Sequence, residues 1–146
     1  MTDDPGGHPV VLISNRQGAP IDETGLIALA LETLHGEGAG RAELSVSFVD
    51  EAEMTGLHER FMDEEGPTDV LSFPLDEPDD GGVRLLGDVV IAPAVAARNN
   101  PADPEAEVRL LLVHGILHIL GHDHQEPGER AEMWERQERY SGVRVP

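Results

Sequence analysis

Apolar and polar positions follow one another along the chain in short blocks whose periods change from strand-like to helix-like. Residues 9–14, Pro-Val-Val-Leu-Ile-Ser, are an apolar run of strand length and predict a short buried strand. After Pro20, the residues Leu26, Ile27, Ala30, Leu31 and Leu34 recur near i, i+1, i+4, i+5 and i+8. That spacing predicts an amphipathic helix over 21–35, closed by Gly36, Gly38 and Gly40. Residues 43–49 alternate polar and apolar, as a half-buried strand does. Asp50 is placed to cap a helix over 51–62, with Glu53 in the position that would complete a capping box. Residues 69–73 predict a strand ending at Pro74, and 75–82 an acidic loop rich in breakers. Residues 85–92 predict another strand, with Pro93 at the start of the next helix. Asp103 and Pro104 open the strongest helix, over 104–120, which Gly121 stops, and a last polar helix covers 128–139.

The order β-α-β-α-β-β-α-α-α predicts an α/β (α+β) fold: one domain over 1–146, a small mixed four-stranded sheet with helices packed on it. The ends, 1–8 and 141–146, are expected to be flexible. The strand order is not legible from the pattern. A chain of 146 residues suffices for one core, burying roughly two-thirds of its unfolded surface. Aromatic residues are only 3% of the chain, so that core must be largely aliphatic.

Charge narrows the functions. There are 29 acids against 10 bases, a formal net charge of −19, which argues against a broad basic face for nucleic acid or for an anionic membrane. Every base is arginine, which hints at a GC-rich genome or a high-salt cell and says nothing of chemistry. The absence of cysteine excludes disulfides, thiolate metal sites and cysteine nucleophiles. Met1–Gly7 has neither a basic region nor an apolar run, so no signal peptide is visible. The longest apolar stretch, Leu110 to Leu120, is broken by His114, Gly115 and His118 and is too short to span a bilayer. The expectation is a soluble cytoplasmic protein with neither membrane nor DNA as partner.

Four of the seven histidines lie in one segment, His114-Gly-Ile-Leu-His118-Ile-Leu-Gly121-His122-Asp123-His124. His114 and His118, four apart on the helix near the C-terminus, share a face with Cβ atoms about 5–6 Å apart. Two imidazoles so placed can converge on one ion. Gly121 can take a left-handed conformation, turn the chain back and let His124 reach the same ion. Any one histidine on an apolar helix is usually an ordinary hydrogen-bonded residue. Three of them in H-x3-H-x5-H with a glycine break are costly to place beside an apolar stripe without a shared cation. The spacing therefore predicts a metal site at His114, His118 and His124 with a fourth vertex left for water, the arrangement of a catalytic zinc. Imidazole also suits nickel, copper and iron. His122 either faces solvent or belongs to the outer shell. Asp123 either fixes a ligand tautomer or caps the turn.

The spacing matches the metalloprotease pattern H-E-x-x-H-x-x-G-x-x-H except at its second position, where Gly115 replaces the glutamate base. A base contributes about 10²–10⁴-fold, so peptide hydrolysis should be poor. Metal-bound water can still attack a phosphodiester, because the cation acidifies the water and stabilises anionic oxygens.

Two further segments add to the histidines: Pro67-Thr68-Asp69-Val70-Leu71-Ser72-Phe73-Pro74 and Leu86-Gly87-Asp88-Val89-Val90. Together, from about Leu44 to Glu135, the chain resembles the YbeY family of bacterial rRNA maturation factors, single-strand-specific, metal-dependent endoribonucleases. The resemblance implies zinc held by His114, His118 and His124, processing of 16S rRNA at its 3′ end, a part in ribosome quality control, and the ribosome or its associated proteins as partners. It also implies an arginine that assists cleavage five residues before Pro67, where this chain has Met62. Arg60 would substitute only if its helix has already ended. Otherwise it is a solvated surface residue, and Arg84, Arg98 and Arg109 are the other basic candidates. Thr68, Asp69 and Ser72 either line the cleft or serve as turn and packing residues. Asp88 either faces the site or bonds a neighbouring loop.

The reading carried forward is a zinc-dependent endoribonuclease acting on single-stranded rRNA. The alternatives are a metalloprotease-like hydrolase and a non-enzymatic ribosome assembly factor with a structural metal. A body of net charge −19 repels RNA beyond a Debye length of about 8 Å, so the first reading requires a local positive site.

Overall fold

The computed structural model describes residues 8–78, 81–122 and 126–143 and builds the elements in the order the pattern predicts. They are β1 (Val10–Arg16), α1 (Glu23–Gly36), β2 (Ala42–Val49), α2 (Glu51–Met62), β3 (Val70–Pro78), β4 (Arg84–Ile91), α3 (Pro93–Asn99), α4 (Pro104–Ile119) and α5 (Pro127–Ser141). The four strands form one mixed sheet in the order β1-β2-β4-β3. β1, β2 and β4 run parallel, and β3 pairs antiparallel to β4 on the edge.

One face of the sheet carries the main core. Leu44, Val46 and Phe48 of β2 and Val89 and Ile91 of β4 pack there against α1, α4 and Met133 of α5. α2 covers part of the other face, where Met54 and Leu57 meet Val49, Leu71 and Val90. α4 is buried on nearly every side, because it touches α1, α3, α5 and both β3 and β4. A helix enclosed in this way has no polar stripe to betray its orientation, so its exposed positions are set by its neighbours alone. Among the described residues, no helix is long and apolar enough to cross a membrane.

Three departures from the pattern have local causes. β3 does not stop at Pro74 but continues to Pro78, into the segment expected to be a loop. β3 is an edge strand, where a proline can lack its N–H without breaking a ladder, and the register with β4 shifts between Pro74 and Glu77. A second irregularity lies in β4: Glu43 pairs with Leu85 but Leu44 with Gly87, so Leu86 is an extra residue. This one-residue slip explains why Leu86 and Val89, three apart, both enter the main core. It also requires glycine at 87, where φ is +132° and an added Cβ would overlap the carbonyl oxygen of Phe73. Finally, the capping box of α2 is only half made. Asp50 accepts from the amide of Glu53 at 2.7 Å, but the Glu53 carboxylate pairs with Arg16 at 2.6 Å instead of returning to the cap.

Candidate metal centre

α4 begins as its sequence requires. Pro104 needs no N–H partner, and the Asp103 carboxylate accepts from the amide of Ala106 at 3.1 Å. It ends at Gly121, where φ is +102°. There the amide of Gly121 donates to the carbonyl of His118 at 3.1 Å, and the amide of His122 to that of Leu117 at 3.0 Å. These two bonds are the Schellman arrangement, which reverses the chain immediately after the last turn.

His114 and His118 are brought together on one side of this helix. Their ring centroids are 5.4 Å apart at 62°, and both rings are half-buried between fully buried neighbours. Nδ1 of His114 lies 2.7 Å from Oε1 of Gln137 on α5, and the Trp134 ring stands edge-on at 6.3 Å. A carboxamide oxygen only accepts, so this contact is satisfied when Nδ1 of His114 carries the proton, which leaves the ring's lone pair on Nε2. His124 and Asp123 lie outside the described residues, and among the described residues no three metal-ligating side chains form a cluster. The two imidazoles that are described fit a borderline divalent cation. They are nitrogen donors four apart on one helix face, and Nδ1 of one of them faces a carboxamide oxygen.

Gly115, next to the first histidine, faces the sheet. A Cβ there would come within 2.7 Å of Cγ1 of Val89 and 3.2 Å of Oγ of Ser72. Ser72 donates to the carbonyl of Gly115 at 3.1 Å. Of the two readings left open for Ser72, the structure supports the packing one: it ties β3 to the ligand helix. Asp69 accepts from Nδ2 of Asn99 at 3.1 Å, while its carbonyl accepts from the amide of Ala92 at 3.0 Å, so it joins β3 to α3. Burial, aided by the nearby Asp69 charge, pushes the Glu107 carboxyl upward. Thr68 is half-buried. Asp88 is exposed and pairs across the ladder with Phe73, on the sheet face away from α4. α2 runs on to Met62, so Arg60 is still helical. It is exposed, with its guanidinium 5.8 Å from the Phe61 ring centroid, and does not take the direction of Met62. Arg98 pairs with Glu51. Arg109 lines a cavity of about 210 Å³ formed by Ile21, Leu26, Pro93 and the first turns of α4, to which neither His114 nor His118 contributes.

The pattern gave no warning of two groups. One is Gln137, buried at 3% exposure. Its helix reads as polar because the buried stripe Met133, Gln137 and Ser141 contains only one apolar residue, though the four-residue spacing is present. The other is Glu37, with a side chain only 6% exposed. Its carboxylate accepts from Nε2 of His122 at 2.8 Å, Nη1 of Arg136 at 2.7 Å and the Tyr140 hydroxyl at 2.7 Å. His122 therefore belongs to a buried network that ties the turn after α4 to α1 and α5. Burial alone would push the Glu37 carboxyl upward, but the three donors outweigh it and hold it below the usual carboxylate range. Burial and the Glu37 contact push the Tyr140 hydroxyl up.

A family model described as endoribonuclease YbeY matches residues 12–142. The chain is 46% identical over 134 residues to the protein named endoribonuclease YbeY of Cutibacterium acnes, covering 84% of this chain and 85% of that one. It is 49% identical over 137 residues to the protein of the same name from Beutenbergia cavernae, covering 86% of this chain and 90% of that one. The solution structure of TM1509 from Thermotoga maritima is similar at a TM-score of 0.59 and 30% identity, over 90% of this chain and 86% of that one.

Proposed function

The chain belongs to the endoribonuclease YbeY family, and on that premise we propose a zinc-dependent endoribonuclease that cuts single-stranded rRNA. Its place is 16S rRNA 3′-end maturation and ribosome quality control in the cytoplasm, with the ribosome or its associated proteins as partners. The observation that supports this reading most is the pair His114 and His118 on one helix face, with Nδ1 of His114 2.7 Å from Oε1 of Gln137. His114, His118 and His124 would hold the zinc. Zinc in such a site supplies a Lewis acid for anionic phosphodiester oxygens and lowers the pKa of a water it binds. The protein's own part is to keep the two described rings on one face and to end the helix sharply at Gly121. Gly115 leaves no room for a carboxylate base beside His114, which favours phosphodiester over peptide as substrate. A local cation also answers the charge problem, since a chain of net charge −19 needs a positive site to admit RNA.

The test is cleavage of a short single-stranded RNA by zinc-loaded protein. Chelation and His118→Ala are each expected to lower the rate about 10²-fold or more, and the same RNA in a duplex should stay intact. Equal rates for wild type and His118→Ala would remove the metal from the mechanism. A zinc-loaded protein that cuts no RNA, yet loses thermal stability when zinc is removed, would favour an assembly factor with a structural metal.

A further inference from the structure

Besides the Glu37 carboxylate, three polar residues are buried as whole residues among the described ones: Thr33, Gln137 and Ser141. Two are satisfied within their own helices. Thr33 donates to the carbonyl of Leu29 at 2.9 Å, and Ser141 to that of Gln137 at 2.6 Å. Gln137 differs, because its side-chain oxygen is directed at another element, 2.7 Å from Nδ1 of His114. A long polar side chain in the core loses rotamer freedom and must be desolvated. At a position between Met133 and Ser141 on the buried stripe, an apolar residue of similar size would fill the space without the desolvation cost. The amide is thus better explained by what it does to His114 than by packing.

The chemistry is specific. Neutral imidazole has one N–H and one lone pair. With Oε1 of Gln137 against Nδ1, the proton must be on Nδ1 and the lone pair on Nε2. The opposite amide orientation would donate to Nδ1 and force the proton onto Nε2, which could then bind no metal. Trp134, edge-on to the ring at 77°, restricts its rotation. We propose that Gln137 is a positioning residue that selects the Nδ1–H tautomer of His114 and presents Nε2 for the cation. This inference rests on the reading of His114 as a metal ligand.

The test begins without metal. Long-range ¹H–¹⁵N NMR of zinc-free wild type, Gln137→Leu and Gln137→Glu reads the His114 tautomer directly, a quantity that a merely structural role would not move. Zinc affinity is then measured by chelator competition at about pH 8, where a free imidazole is neutral. Wild type should show Nδ1–H. Gln137→Leu should lose that preference and bind zinc about 10–100-fold more weakly, the usual effect of removing such a partner. Gln137→Glu restores an acceptor and should return both the Nδ1–H signal and at least wild-type affinity. Should the leucine variant not fold, Gln137→Met carries the same comparison with a more adaptable side chain. An unchanged tautomer and unchanged zinc affinity in the apolar variant would overturn this inference alone. Wild-type protein that binds no zinc would overturn the metal centre and this inference with it.

Discussion

Gly115→Glu is expected to cost about 5 kcal/mol or more and to leave little folded protein, although it restores the metalloprotease motif residue for residue. Overpacking a core usually costs about 1–3 kcal/mol, and burying an unpaired carboxylate adds several more. At Gly115 both apply. The first carbon of any side chain already meets Val89 at 2.7 Å and Ser72 at 3.2 Å, and the helix is enclosed on that side by β3 and β4. Gly115→Ala separates the two terms. Alanine is favoured over glycine in a helix by about 1 kcal/mol, but the Val89 contact must open, so a net loss of about 0–2 kcal/mol is expected. Thermal unfolding of both variants checks the ranking. A folded Gly115→Glu protein near wild-type stability would mean that α4 does not seat on the sheet as described.

Glu37→Ala should cost about 3 kcal/mol, lowering Tm by on the order of 10 °C, although Glu37 is the C-cap residue of α1 and not one of the predicted metal ligands. The loss follows from what remains. The Arg136 guanidinium, the Tyr140 hydroxyl and the His122 ring would keep their donors in a largely enclosed place without the shared acceptor. Nε of Arg136 is buried without a partner even in the intact network, and after the loss of Glu37 its charge would keep only the exposed Glu132, 3.0 Å from Nη2. The pH dependence has a definite sign. Because the folded-state pKa of Glu37 is lowered, its contribution is present above the ordinary carboxylate pKa and is lost as pH falls through the folded value. The gap in Tm between wild type and Glu37→Ala should therefore be full near neutrality and narrow below about pH 4. A gap that widens on acidification would contradict an anionic Glu37 in the folded protein.

Local signals were enough wherever one residue's own chemistry fixes the backbone. Asp50 and Asp103 cap their helices, Pro93 and Pro104 open theirs, and Gly121 ends α4. The element order and the four-stranded mixed sheet were legible for the same reason: periods of two and 3.6 report on the nearest turns of chain. Pro74 misled because its meaning depends on whether a strand is central or on the edge, which only the sheet order β1-β2-β4-β3 reveals. Asp88 was undecided because an extra residue at Leu86 resets which side chains of β4 point to which face, and no composition signal marks that slip.

By itself, then, the amino-acid order determined the helices, the strands and the pairing of His114 with His118, because a four-residue step on a helix places two side chains on one face whatever surrounds them. It also showed that a glutamate is missing at 115. Why none can be there was decided by the packing of α4 on Val89 and Ser72, a contact between residues 26 and 43 positions apart. The partners of the histidines were decided in the same way, Gln137 for His114 and Glu37 for His122, across 23 and 85 residues. Contacts at such separations leave no periodic trace in one chain, since they depend on how whole elements stack and not on the spacing within any of them.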